Sequence, residues 1–275
     1  MTEQTNETSL YKGKVKIKFV ESNHSYWLNG KRLTGVTTII GKAYDKSAIL
    51  MAWQLNETIA SLLNNKNRLI EATTDAEIKD ILAEAKKAAA EKKDLAAEIG
   101  KAIHRWVELY IKGELPEMPE DDRVAEGVNN FVRWLDESKM KLIDSEKIVY
   151  SKRYGFVGTL DITAERDGKL YLLDIKTGNA IYPEYRIQTA AYLMADKEES
   201  GREYAGRVIL RVSKETEEEY YTRMNKKKAD ADKIPPFKMF EAYEVDAESD
   251  LIKTDFQAFI NCLGIWKWRK ENETY

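Results

Sequence analysis

The chain has 275 residues, of which 43% are hydrophobic and 33% charged, and a formal net charge of −3. Its length allows one large domain or one domain with an insertion, and its composition is that of a soluble globular protein rather than a disordered one. A single cysteine, Cys262, excludes an intramolecular disulfide and a cysteine-ligated zinc or iron-sulfur site.

The slightly acidic balance gives no global attraction to nucleic acid, so any such binding must rest on a local basic surface and bound metal. No apolar run approaches membrane-spanning length, and the opening residues MTEQTNETSLYKGK contain no signal-peptide apolar region. The expectation is an intracellular, cytoplasmic protein with no membrane partner.

Residues 1–10 are polar and read as a loose tail. From Lys14 to Ile40 the alternation predicts a small β-meander: VKIKFV, then SYWLNGKRL around an Asn29-Gly30 turn, then GVTTII as a last strand. Ser47 reads as the N-cap of a helix to about Leu63, where Ile49, Leu50, Trp53 and Ile59 fall at helical spacing and predict a core-facing stripe.

Asp75 reads as the cap of a long helical region that ends at Gly113. Its middle, 83–93, is rich in alanine and lysine and predicts a helix projecting from the body, with Lys86, Lys87, Lys92 and Lys93 along it. Further on, Gly100, His104 and Glu108 recur every four residues on one helix face. Leu95, Ile99, Ile103, Val107 and Tyr110 form an adjacent apolar stripe. Asp121 and Asp122 open another helix, with Val124, Val128, Phe131, Val132 and Leu135 as its apolar face, and Leu142 to Ser151 supplies a strand that contains Glu146.

Two apolar, β-branched runs, Val157 to Thr163 and Leu170 to Lys176, flank Asp167-Gly168, a strong signal for a two-residue hairpin turn. With that turn, facing residues have numbers summing to 335, and Asp161 lies opposite Asp174. Alternation places Thr159, Asp161, Thr163, Leu172, Asp174 and Lys176 on a charge-bearing face and Leu160, Ile162, Tyr171, Leu173 and Ile175 on a core face. Opposed carboxylates destabilise a sheet unless a cation lies between them, and a lysine on the same face completes what a Mg²⁺-type site offers.

After the hairpin, Pro183 suits the first position of a helix whose buried stripe is Ile187, Ala190, Ala191 and Met194, leaving Gln188 and Tyr192 on an exposed neighbouring face. Arg207 to Val212 reads as a core strand, Lys226 to Lys228 and Asp230 to Pro236 as a charged loop, Lys238 to Val245 as an edge strand, and Ser249 to Lys270 as a closing helix.

The ordered set G-x-x-x-H at 100–104, G-T-L-D at 158–161, D-I-K-T at 174–177 and Q-x-x-x-Y at 188–192 resembles the PD-(D/E)XK nuclease superfamily, specifically its RecB-like exonuclease branch, over roughly residues 100 to 210. Leu160 stands where the superfamily name has proline and Asp174 where it has glutamate, and neither change removes a ligand. The resemblance implies an α/β fold with a restriction-endonuclease-like αβββαβ core, a mixed central sheet flanked by helices. It implies a single nuclease domain over 1–275: an N-terminal meander (1–45), a helical region able to act as an arch (46–95), a catalytic core (96–213) and a C-terminal strand and helix (214–275).

By the same resemblance, His104, Asp161, Asp174 and the Ile175 carbonyl ligate a divalent ion, Mg²⁺ or Mn²⁺, with Glu108 or Glu146 near a second. Asp161, Asp174 and Lys176 are then catalytic, while Gln188 and Tyr192 orient the lysine and help hold DNA. The implied activity is that of a metal-dependent DNA exonuclease acting on single-stranded ends in replication, recombination or repair, partnered by DNA and by a recombination or replication protein. An endonuclease or nickase with the same site, or a non-catalytic nucleic-acid-binding subunit retaining the fold, are the alternatives.

Overall fold

The computed structural model describes residues 5–227 and 234–272. The chain divides into two compact units, one formed by Met1–Tyr44 with Ile103–Tyr275 and the other by Asp45–Ala102.

The larger unit begins with a four-stranded antiparallel sheet of β1 (Thr5–Leu10), β2 (Val15–Val20), β3 (Ser25–Leu28) and β4 (Lys31–Leu33). Residues 5–10 are therefore a strand rather than a loose tail, paired from Thr5↔Val20 to Leu10↔Val15, while residues 1–4 lie outside the described residues. A polar edge strand needs only one buried anchor, and Leu10 supplies it at 3% exposure. The Asn29-Gly30 turn joins β3 to β4, both residues at positive φ (49° and 75°), as the tight hairpin turn requires.

The segment predicted as the last strand of the meander is instead a helix, α1 (Val36–Ala43). Its β-branched residues favour a strand, but Val36, Ile39 and Ile40 are the buried ones, a spacing of three and four that only a helix can present to one core. Just before α1, Thr34 accepts a hydrogen bond from the Val157 amide at 3.2 Å, tying this layer to the second sheet.

That sheet runs in chain order: β5 (Lys141–Ser151), β6 (Phe156–Arg166), β7 (Lys169–Lys176), β8 (Tyr204–Val212) and β9 (Phe240–Asp246). Neighbours are antiparallel except β7 and β8, which run parallel and are joined through α6 (Pro183–Ser200). Helices α2 (Ser47–Asn64), α3 (Lys66–Glu71), α4 (Asp75–Ile111), α5 (Asp122–Ser138), α7 (Glu217–Lys227) and α8 (Asp250–Asn272) are the remaining α-helices of the described residues. The fold is mixed α/β, with helix, three antiparallel strands, helix and parallel strand in succession.

The β6–β7 turn falls at Asp167 and Gly168 (φ 53° and 72°), and the register from Ile162↔Leu173 to Arg166↔Lys169 keeps the sum of 335. The face expected to carry charge is not open to water, however. Thr163, Leu172 and Asp174 on it are no more than 1% exposed, as deeply buried as Leu160, Ile162 and Leu173. A central strand of a sheet covered by helices is buried on both faces, so the charged groups lie in the interior. Packing beside them is dense: Phe156 meets Phe259 of α8 edge-on at 4.7 Å, and burying each such ring contributes about 1.5–3 kcal/mol.

One further reading changes, at the start of the expected charged loop, where Lys226 and Lys227 belong to a helix. Glu217–Lys227 is helical, opened by a reciprocal cap in which Thr216 Oγ1 accepts from the Glu219 amide (3.3 Å) and Glu219 accepts from the Thr216 amide (2.8 Å). Of the predicted charged loop, residues 228 and 230–233 lie outside the described residues.

In the smaller unit, α2 (Ser47–Asn64) starts one residue earlier than its predicted cap implies: Lys46 is the N-cap, and the Ser47 amide donates to Asp45 Oδ1 at 2.8 Å. The stripe predicted to face a core is exposed, with Ile49 at 72%, Leu50 at 56% and Ile59 at 45%. Burial falls instead on the alanine-rich part of α4, where Ile81, Ala85 and Ala89 are at most 5% exposed. That stretch packs within its own unit, where Arg68–Glu84 (2.7 Å) and Lys92–Glu57 (2.6 Å) bridge its flanks. Thr74, not Asp75, caps α4, exchanging hydrogen bonds with Glu77.

Candidate metal centre

Ile103 and Val107 on α4 are 0% and 2% exposed, and burying them fixes the rotation of the helix. That rotation points His104 and Glu108 into a small cleft shared with Ser145, Glu146, Asp161, Ile162 and Ile175. Its volume of about 10 Å³ leaves room for roughly one water or one ion.

His104, Glu146 and Asp161 each place one ligand atom within 4.8 Å of the other two. His104 Nδ1 is 3.8 Å from Asp161 Oδ2, and the Ile175 amide donates to that same carboxylate oxygen at 3.2 Å. Glu146 lies within β5 at a φ of 52°: the ladder pairs Ser145↔Ile162 and Lys147↔Leu160, leaving Glu146 across from Asp161. A non-glycine residue held there costs on the order of 1 kcal/mol.

Asp174 is 0% exposed. Lys176 Nζ pairs with its Oδ2 at 2.7 Å, while Oδ1 has no hydrogen-bond donor among the described residues. A buried carboxylate oxygen without a donor is satisfied by a further ligand such as a cation. Hard carboxylate oxygens beside an imidazole nitrogen form a donor set that suits Mg²⁺ or Mn²⁺, so these residues fit a divalent ion.

The electrostatics are those of a site short of positive charge. Burial raises the Asp174 carboxyl, helped by Asp161 and opposed by Lys176, and burial likewise raises Asp161 against the pull of Lys176. Glu146, at the exposed lip, is raised by loss of hydration and then by the charges of Asp161 and Glu108. Burial and the Lys176 ammonium lower His104, which favours the neutral imidazole that can bind a metal. Burial acts to lower Lys176 itself, but the charges of Asp174 and Asp161 outweigh it.

The remaining predicted residues have protein partners of their own. Glu108 is held by Arg105 (2.7 Å) and Lys112 (2.5 Å). Gln188 donates to the Tyr192 hydroxyl at 3.1 Å. Tyr192 is 4% exposed rather than on an open face, because Gly158 of β6 leaves room for its ring.

Two neighbours escaped the sequence reading. The Lys176 ammonium sits 5.1 Å from the ring centre of Tyr185, which precedes Gln188 by three residues on the same helix face and was detectable from that spacing. The Tyr26 hydroxyl lies 2.7 Å from Thr159 Oγ1, across 133 residues of sequence, and no local signal announces it.

No family model matches the chain, and no curated protein matches it in sequence. Among solved structures it is similar to an alkaline exonuclease from Laribacter hongkongensis, with 16% identity and a TM-score of 0.29 over 52% of this chain and 68% of that one. So distant a likeness decides nothing about activity, which must be argued from the side chains of the cleft.

Proposed function

We propose that the chain is a divalent-metal-dependent nuclease that hydrolyses DNA phosphodiester bonds, working as an exonuclease on single-stranded ends in replication, recombination or repair. The observation that carries this reading is the convergence of His104, Glu146 and Asp161, with ligand atoms within 4.8 Å of one another, beside the buried Asp174–Lys176 ion pair at 2.7 Å. The end preference follows the resemblance of the G-T-L-D, D-I-K-T and Q-x-x-x-Y set.

His104, Asp161, Asp174 and the Ile175 carbonyl would hold the ion, with Glu146 at the lip. Bound there, Mg²⁺ or Mn²⁺ neutralises charge on the phosphate and acidifies a water molecule. The Ile175 amide orients Asp161. Lys176, kept charged by the two aspartates, orients the attacking water and stabilises negative charge developing on the phosphate oxygens. Tyr185 shields that ammonium from solvent, and Tyr192, steadied by Gln188, packs on the strand that carries Asp161.

The test is incubation of end-labelled linear and circular single-stranded DNA, and of duplex DNA, with Mg²⁺ or Mn²⁺. Wild type should shorten linear strands from an end and spare the circle, while Asp174→Ala and Lys176→Ala leave both intact. Cutting of the circle would make the enzyme an endonuclease. Equal degradation by all three proteins would overturn the assignment of the centre.

A further inference from the structure

β7 ends at Lys176 and α6 begins at Pro183, and the connection between them brings two tyrosines back beside the lysine. Tyr185, in the first turn of α6, is half-buried, with its ring centre 5.1 Å from the Lys176 ammonium. Tyr182 meets that ring edge-on, the centres 5.6 Å apart and the planes at 77°. Unlike the buried Tyr192, Tyr182 is 41% exposed. An edge-on contact covers at most one face of a ring, so Tyr182 keeps a face open to solvent.

That ring is also held in place. Tyr182 precedes Pro183, which confines it to extended backbone, and its φ of −97° and ψ of 151° lie there. Its carbonyl accepts a hydrogen bond from the Tyr185 amide at 3.0 Å. Gly178 lets the connection pass close to both rings: a Cβ there would stand 3.4 Å from the Tyr185 hydroxyl and 3.9 Å from Tyr182 Cε2. An aromatic side chain fixed in this way loses little freedom when a flat group lies on it.

We infer that Tyr182 is a stacking residue for the substrate strand: the base of a nucleotide next to the attacked phosphate lies on its open face, while Lys176 faces the phosphate. The inference rests on the nuclease reading and deepens it, by naming a residue that selects single strands. Only one ring separates Tyr182 from Lys176, a reach that a single nucleotide spans. A duplex keeps its bases stacked on one another, so this ring rewards an unpaired base, and any base serves because each has a π-face.

Steady-state hydrolysis of an oligodeoxythymidine of about 20 nucleotides in Mg²⁺ tests this. Tyr182→Ala should raise KM at least about fivefold with kcat unchanged, and Tyr182→Trp should keep the wild-type KM. A strand with one abasic site should make wild type pause where that site reaches the cleft. Tyr182→Ala, with no stacking left to lose, should pass it without that pause. Unchanged melting temperatures separate lost stacking from misfolding. If Tyr182→Ala melts early, Tyr182→Leu, which keeps apolar bulk against Tyr185 without a π-face, takes its place and should show the same rise in KM. A wild-type KM in the folded variant, or the same pause in both proteins, overturns the stacking role. A loss confined to kcat overturns it as well, because Tyr182 would then act through Tyr185 on Lys176. Should wild type cut the strand and the Tyr182 variants match it, this inference alone fails; should wild type cut no strand, the nuclease reading fails with it.

Discussion

Gly158 of β6 and Tyr192 of α6 are fitted to each other: a Cβ on residue 158 would stand 2.4 Å from Tyr192 Cε1. Gly158→Ala should therefore force the buried ring aside and, through it, the amide of Gln188, which donates to its hydroxyl. Overpacking of this kind costs about 1–3 kcal/mol, and urea unfolding should report it together with slower hydrolysis by the folded protein. Tyr192→Phe, which keeps the ring and drops only the hydroxyl, should be milder. A Gly158→Ala protein as stable and as active as wild type would show that the ring can shift without cost.

Asp174 and Lys176 should fail in different ways. Removing the carboxylate with Asp174→Ala takes away a proposed metal ligand and strands Lys176, 15% exposed at the side chain, without its closest anion. Calorimetric Mn²⁺ binding and hydrolysis should both collapse. Lys176→Met removes the cation that would stabilise phosphate charge, which is worth about 10²–10³ in kcat, while Mn²⁺ affinity is kept or improved by the loss of a nearby positive charge. Parallel loss of metal affinity in both variants would mean that Lys176 holds the ligands in place and has no separate part in the chemistry.

Glu198 governs how the N-terminal sheet responds to acid. Its carboxylate accepts from Ser151 Oγ (2.6 Å), the Tyr11 hydroxyl (2.8 Å) and the Arg153 amide (3.1 Å). Burial alone would raise its pKa, but these donors outweigh burial and lower it. A lowered folded-state value means that the stabilisation is present above the ordinary glutamate range and is lost as pH falls through the lower folded value. After discounting for solvent, about 1 kcal/mol is at stake. Wild type should thus exceed Glu198→Gln in urea midpoint at pH 6 and lose that margin by about pH 3. A margin constant across this range would exclude the carboxylate charge as its source.

The parts of the site legible in the sequence are those whose geometry is local. Asp167-Gly168 sets the hairpin register because a two-residue turn leaves only one pairing, and the His104 face of α4 follows from helical spacing. The VTTII segment misled because its residues favour a strand in isolation, and only the core it meets selects the helix. Burial of Asp174 was hidden for a related reason: alternation tells which residues share a face, not whether helices cover it. The contact of Tyr26 with Thr159 depends on two sheets meeting, which no window of the sequence contains.

The placement of α6, and so of Tyr185, Gln188 and Tyr192, depends on an ion cluster far from the cleft in sequence. Arg207 of β8, with 0% exposure, pairs with Asp255 of α8 and donates to the Arg186 carbonyl of α6 at 2.6 Å, and Arg186 itself reaches Asp255 at 2.9 Å. Two helices and a strand thus share one carboxylate. Removing it with Asp255→Ala leaves a buried guanidinium without its anion and should cost about 3–5 kcal/mol. Replacing the pair together, Arg207→Met with Asp255→Leu, removes the buried charge along with its partner and should recover most of that stability. If the cluster acts by holding α6 in register, the double variant should also recover hydrolysis at a temperature where it is fully folded. Stability recovered without activity would instead assign the arginine a role in aligning Tyr185 over Lys176 that a methionine cannot fill.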